Sequence, residues 1–306
     1  MSKDSPKLRE LLCKLLPGLL IEAVASPSGQ RVVYFAKFSH PAPEQRIKWG
    51  NVVTKVSEQL SPRQIAYLEK EIHLLNTLCS SCYPKLLYNE AFTRDPDTGD
   101  NLPHRIFVSI EEQLAAKPLT ECKKRFNNES QVISLLLELI DALNLLWSRP
   151  ERVVHRDLKP ANILIRDDGS VAIIDLGIVR EEGTPGLTED AAQWGPCTPP
   201  YASPEQARND KKSISFKSDL FSLGTIAYEL LTGTNPYVNP QSNSREDVLR
   251  KVQTYIPAPL NSIGKSSLAF SRVVENLMKK EPFERFRTVS RLKQELQECR
   301  ELSNGK

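Results

Sequence analysis

The stretch that most narrows what this chain can become is His155-Arg156-Asp157-Leu158-Lys159-Pro160-Ala161-Asn162, followed by Ile163-Leu164-Ile165. An acid, a lysine and an amide fall within six residues, next to an apolar run. After a turn at Asp167-Asp168-Gly169-Ser170 a second apolar run, Val171-Ala172-Ile173-Ile174, delivers Asp175 at its tip. Two short strands joined by a glycine-containing turn form a hairpin. Such a hairpin holds Asp157 and Asn162 at one end and returns Asp175 to the same end. Two carboxylates and an amide oxygen repel one another unless a cation sits among them. Mg²⁺ suits that set, since it takes a few hard oxygen ligands together with phosphate oxygens. The outline is that of a phosphoryl-transfer site.

The chain around it has 306 residues, enough for one large domain or two lobes. With 40% hydrophobic and 26% charged residues it has ordinary globular composition. A net charge of +3, evenly spread, gives no argument for nucleic acid or an anionic membrane as partner. No uninterrupted run of about 18 apolar residues occurs, so no membrane span is expected. The six cysteines are scattered and the start of the chain lacks a secretory signal pattern, which predicts reduced thiols and a cytoplasmic protein. Cys79 and Cys82 have metal-ligand spacing without a second pair, short of the four ligands that zinc needs. Leu8, Leu11, Leu12, Leu15 and Leu16 follow a helical stripe. The helix either docks on its own domain or offers that stripe to a partner or a membrane surface.

The first third reads as strands. Residues 19–24 and 31–36 flank a turn at Ser26-Pro27-Ser28-Gly29-Gln30, and Val52-Val53-Thr54-Lys55-Val56 is a β-branched run with a lysine inside it. By alternation Lys55 shares a face with Val53, where a lysine is either solvated at an edge or functional. The next segment favours function. Ser61-Pro62-Arg63-Gln64 is a helix start, and Glu71 falls on the same helical stripe as Ile65, Leu68, Ile72 and Leu75. A carboxylate on an apolar face needs a cation, and Lys55 supplies one. Residues 92–107 read as a further hairpin, and helical patterns follow Glu111-Glu112-Gln113, beginning with a dense apolar helix over 130–147.

With these motifs assembled, the sequence resembles the eukaryotic-type serine/threonine protein kinase family, with a bacterial flavour carried by Tyr201-Ala202-Ser203-Pro204-Glu205-Gln206-Ala207. The resemblance covers about 19–300 and implies an α+β, bilobal protein-kinase fold: an antiparallel-sheet N-lobe with one helix and a mainly helical C-lobe. The expected divisions are an N-terminal helical extension over 1–18, an N-lobe over 19–112 and a C-lobe over 113–302. Carried over position by position, Asp157 matches the aspartate that accepts or orients the acceptor hydroxyl. Asn162 and Asp175 match the Mg²⁺ ligands, with Mn²⁺ an alternative ion. Lys55 matches the lysine on the ATP phosphates and Glu71 its helix partner. Lys159 matches the lysine that neutralises the transferring phosphoryl group, and Thr198 the hydroxyl that bonds Asp157 and Lys159. Glu205 is expected to pair with Arg285 as a structural bridge. Asp219 either receives backbone amides from the catalytic loop or simply complements its helix dipole. His155 is expected to pack behind the loop.

The chain departs from the family in the phosphate-covering loop, where Ser26, Ser28 and Arg31 stand at the three glycine positions and Gly29 lies between them. Either Ser28 and Gly29 approach the phosphates in a shifted loop, or ATP is covered less closely. For the adenine side the expectation is Ile110 as guard, or Ser109 with a one-residue shift, and backbone hydrogen bonds from Glu111 to Gln113. Arg156 before Asp157 goes in the family with activation-segment phosphorylation. Thr184 or Thr188 is then the expected autophosphorylation site, set against ordinary loop threonines. The resemblance implies ATP and Mg²⁺ as cofactors, a protein substrate, and a transient dimer for autophosphorylation in trans. The alternative is a pseudokinase that acts as a binding or scaffold module; a small-molecule kinase is disfavoured by Lys159, Thr198 and Asp219 together.

Overall fold

The computed structural model describes residues 4–25, 31–177, 179–181, 197–238 and 244–304. Two compact units divide the chain, Met1–Ala115 and Ala116–Lys306.

The first unit opens with α1 (Pro6–Leu15). Ser5 caps it by accepting a hydrogen bond from the Leu8 amide, with Pro6 at the first helical position. Five strands follow, β1 (Leu19–Val24), β2 (Val32–Phe38), β3 (Asn51–Glu58), β4 (Leu86–Arg94) and β5 (Asn101–Glu112), in the order β1-β2-β3-β5-β4. Every neighbouring pair is antiparallel. A short α2 (Glu44–Ile47) interrupts the β2–β3 connection, and α3 (Pro62–Thr77) links β3 to β4. The helix start read from the sequence is a complete capping box: Gln64 N–H donates to Ser61 Oγ, and the Ser61 amide donates back to the Gln64 side chain. The hairpin expected over 92–107 is longer than its pattern suggested, because β4 begins at Leu86 and β5 runs on to Glu112.

Register sets the chemistry of the two sheet faces. Tyr34, Thr54 and Ile110 lie across from one another, and so, one residue on, do Phe35, Val53 and Glu111. Alternation then puts Val32, Tyr34, Ala36, Val52, Val56, Ile106, Val108 and Ile110 on one face, where they form a single core with Leu8, Leu12, Leu15 and Leu16. Each fully buried leucine contributes roughly 2 kcal/mol. The leucine stripe of α1 therefore docks on its own unit, as the first of the two alternatives had it. Asp4 fixes the start of α1 to β2 by accepting from Tyr34 Oη at 2.8 Å and from Arg9 Nε at 2.8 Å. The turn into β1 needs Gly18, which has φ +81°, and a Cβ there would lie 2.1 Å from the Ser39 carbonyl oxygen.

The second unit begins with β6 (Ala116–Pro118), α4 (Leu119–Cys122) and α5 (Glu129–Trp147), the last capped by Asn128. Then come β7 (Val153–Val154), β8 (Ile163–Arg166), β9 (Val171–Ile173) and β10 (Arg180–Glu181). The remaining helices are α6 (Pro204–Ala207), α7 (Phe216–Thr232), α8 (Arg245–Thr254), α9 (Leu268–Leu277) and α10 (Val289–Asn304). By length and composition α5 is apolar enough to cross a membrane. Here its apolar residues, Val132 to Trp147, are mostly buried and it packs against α7 and α10 as a core helix. Gly224 lets α7 and α9 approach closely, since a Cβ there would stand 2.7 Å from Met278 and 2.8 Å from Leu277. A sheet in the first unit and a largely helical second unit give the α+β class expected.

Candidate active site

In the second unit the hairpin forms as read. β8 pairs antiparallel with β9, and Gly169, with φ +89°, makes the turn. The Ile174 amide donates to the Asn162 carbonyl at 3.0 Å, which places Asp175 beside Asn162. Asp175 itself has φ +67°, a left-handed conformation uncommon for a residue with a side chain and one often found at functional sites.

Asp157 is the hub. Its Oδ1 accepts from Thr198 Oγ1 at 2.6 Å and from the Thr198 amide at 3.1 Å. Its Oδ2 accepts from Lys159 Nζ at 2.7 Å and from Asn162 Nδ2 at 3.3 Å. Lys159 also donates to Thr198 Oγ1 at 3.0 Å, and Asn162 Nδ2 donates to the Asp157 carbonyl at 2.9 Å. Because its NH₂ is committed to Asp157, the amide oxygen of Asn162 is left as the acceptor end. Asn162 and Asp175 thus offer hard oxygens without nitrogen or sulfur, a donor set that fits Mg²⁺ and phosphate oxygens. Next to Thr198, burial pushes the Cys197 thiol up to about 11, so it stands there as a neutral thiol.

The loop is clamped from behind. Asp219, fully buried in the first turn of α7, accepts from the His155 and Arg156 amides, each at 2.9 Å, and from Trp147 Nε1 at 2.8 Å. Burial pushes its carboxyl up, while these donors pull the other way. Asp219 therefore does receive the loop's amides, which is more than a dipole complement. His155 is fully buried, and its Nδ1 accepts from the Asp157 amide at 3.3 Å. Gln206 Nε2 reaches the Arg156 carbonyl at 2.7 Å. Glu205 and Arg285 form the expected bridge, bidentate at 2.8 Å and 2.8 Å with both side chains fully buried. Burial opposes the Glu205 charge, but the Arg285 guanidinium outweighs it and holds the carboxyl below its usual range.

The first unit carries a charged cluster of its own. Lys55 Nζ lies 3.3 Å from Glu71 Oε1, the pair read from the two sequence stripes. Two more charges join it that the sequence reading did not assign. Arg31 Nη2 meets Glu71 Oε2 at 2.5 Å, and Lys55 Nζ meets Glu111 Oε1 at 2.6 Å, closer than to Glu71. Burial would raise the Glu71 carboxyl, but Lys55 and Arg31 together more than cancel it, to about 2. Glu111 is equally buried, has Lys55 as its nearest cation and Glu71 as a repelling neighbour, and its carboxyl is pushed up.

The guard expected on the adenine side needs correcting. Ile110 faces the α1 core, opposite to Lys55, because it pairs with Thr54 in the ladder. Ser109 does share the Lys55 face, as does Glu111, two residues further along β5. Glu111 thereby enters through its side chain. The Gln113 amide is committed to the Asn51 carbonyl at 3.1 Å and the Glu112 amide to the Lys85 carbonyl at 3.0 Å, so neither is a free donor. Ser28 and Gly29, together with Thr184 and Thr188, lie outside the described residues.

Comparison with known proteins gives the family. The protein kinase domain family matches residues 55–296, and the chain belongs to that family. The serine/threonine-protein kinase PknB of Mycobacterium leprae is 35% identical over 169 residues, 54% of this chain and 26% of the relative. A probable serine/threonine-protein kinase of Corynebacterium efficiens is 33% identical over 174 residues, 55% of this chain and 25% of the relative. One from Streptomyces coelicolor is 30% identical over 213 residues, 66% of this chain and 30% of the relative. The chain thus spans about a quarter of the length of the first two of these relatives.

Proposed function

We propose that this chain is a protein kinase that transfers the γ-phosphoryl group of ATP to serine or threonine hydroxyls, with Mg²⁺ as cofactor, and that it phosphorylates itself. The observation that carries the reading is the Asp157 network, in which one carboxylate is bonded to both Lys159 and Thr198. A carboxylate so held is an acceptor for the proton of an incoming hydroxyl, and Lys159 sits where the moving negative charge needs a cation. Thr198, by bonding Asp157 and Lys159 at once, fixes the angle between them. Positioning and charge neutralisation do most of the catalysis in such a reaction. Asn162 and Asp175 would hold Mg²⁺, which when bound neutralises the developing charge on the phosphate oxygens. Lys55, steadied by Glu71, would bind the α- and β-phosphates.

The relatives' shared designation as serine/threonine-protein kinases supports the acceptor class. Six cysteines outside any disulfide fit a reducing compartment, and we propose a cytoplasmic location with a protein substrate and transient pairing of two copies during autophosphorylation. Arg156, buried beside Asp157, supports phosphorylation at Thr184 or Thr188. The test is incorporation of radiolabelled phosphate by wild type and by Asp175→Ala. Transfer by wild type and none by the variant is expected; equal transfer, or none by either, overturns the reading.

A further inference from the structure

Four side chains of the first unit stand in a line of alternating charge: Arg31, Glu71, Lys55 and Glu111, with successive separations of 2.5, 3.3 and 2.6 Å. Their side chains are 19%, 2%, 11% and 4% exposed, so solvent screens them weakly. Lys55 and Glu71 would already balance one another. Arg31 and Glu111 therefore add one cation and one anion to a pair that was neutral without them. They also act at opposite ends. Arg31 engages the oxygen of Glu71 that Lys55 does not, and Glu111 takes the Lys55 ammonium at a shorter distance than Glu71 does.

We propose that Arg31 and Glu111 are a matched charge pair that sets how strongly Lys55 is available to the phosphates of a nucleotide, Glu111 by competing for the ammonium and Arg31 by offsetting that added negative charge. The inference rests on the reading of Lys55 as a phosphate-binding residue. Both are positioning residues that act through Lys55 and Glu71. Neutralising Glu111 leaves the line with one net positive charge; neutralising Arg31 leaves one net negative charge. A polyphosphate anion approaching Lys55 meets opposite fields in the two cases.

The test measures the affinity of the full chain for a fluorescent ATP analogue with Mg²⁺, and the KM for ATP separately from kcat. Glu111→Gln is expected to tighten binding and lower the KM roughly fivefold, the effect of one partly screened unit charge a few ångströms away. Arg31→Gln is expected to weaken both by a similar factor, and the double variant to return within about twofold of wild type. A role confined to stability would not move the two affinities in opposite directions. If Glu111→Gln does not fold, as judged by thermal unfolding, Glu111→Met offers the same loss of charge in an apolar shape. Unchanged or weakened binding by the Glu111 variants overturns the proposal. Lys55→Met separates the two levels: if it leaves affinity unchanged, the phosphate-binding reading of Lys55 fails and this inference fails with it. If it weakens binding while Glu111→Gln does not tighten it, only the present inference fails.

Discussion

The acids around the Asp157 loop and those in the first unit's charge line are held in different ways. In the second unit Asp219 is gripped by two backbone amides and an indole N–H, and Asp157 by a backbone amide, a hydroxyl, an amide and one lysine. In the first unit Glu71 and Glu111 are held by the ends of two long cations, Arg31 and Lys55. Backbone donors are fixed by the fold and cannot leave without unfolding it. Ammonium and guanidinium groups sit on flexible stems and can exchange partners at modest cost. One site is built to stay in place, and the other to redistribute charge.

That contrast can be attacked from the fixed side first. Asp157→Asn keeps the shape of the hub but removes its charge, and phosphate transfer is expected to fall about 10³-fold or more, read in a single-turnover assay. Thermal unfolding should fall as well, because each Asp157 oxygen accepts from two donors and the NH₂ of an asparagine must face one of those pairs. Arg285→Leu tests the dependence of a buried acid on its one cation. It leaves a buried Glu205 charge with the Ser218 hydroxyl but no cation, with an expected loss of about 3–5 kcal/mol in denaturant unfolding. The pH dependence should change sign with it. In wild type the Glu205 carboxyl is held low, so its stabilisation is present above about pH 4 and lost as pH falls through the lower folded value. Without Arg285 burial is opposed only by the Ser218 hydroxyl and a backbone hydrogen bond, and acid should instead relieve part of the loss. Thr198→Ala is the mildest probe. It removes one donor to Asp157 but spares the backbone amide, so transfer should drop about tenfold with the KM for ATP unchanged.

The second-unit site was legible because it is contiguous. Asp157, Lys159 and Asn162 fall within one loop, and a single glycine turn returns Asp175, so hairpin logic recovers the geometry. Lys55 and Glu71 were legible because each breaks a periodic apolar pattern, one in a strand and one in a helix. Glu111 was harder to see. The stretch from Ile106 to Ile110 is nearly continuous in apolar residues, so alternation alone does not say which face is which. The acid looked like the end of the strand, whereas β5 runs through Glu112. Its partner Lys55 is fixed only by the β3–β5 register, a long-range pairing that local pattern does not carry. Arg31 was visible as a departure at a glycine position, and its role emerged only with the contact to Glu71.

The docking of α1 has a consequence for how the unit comes into being. Its leucines share a core with β2, β3 and β5, so the last of their partners lies about 100 residues further along the chain. At ordinary rates of translation that separation corresponds to roughly 5–20 s. Through that interval the apolar stripe of the nascent helix waits for the last strand of its core.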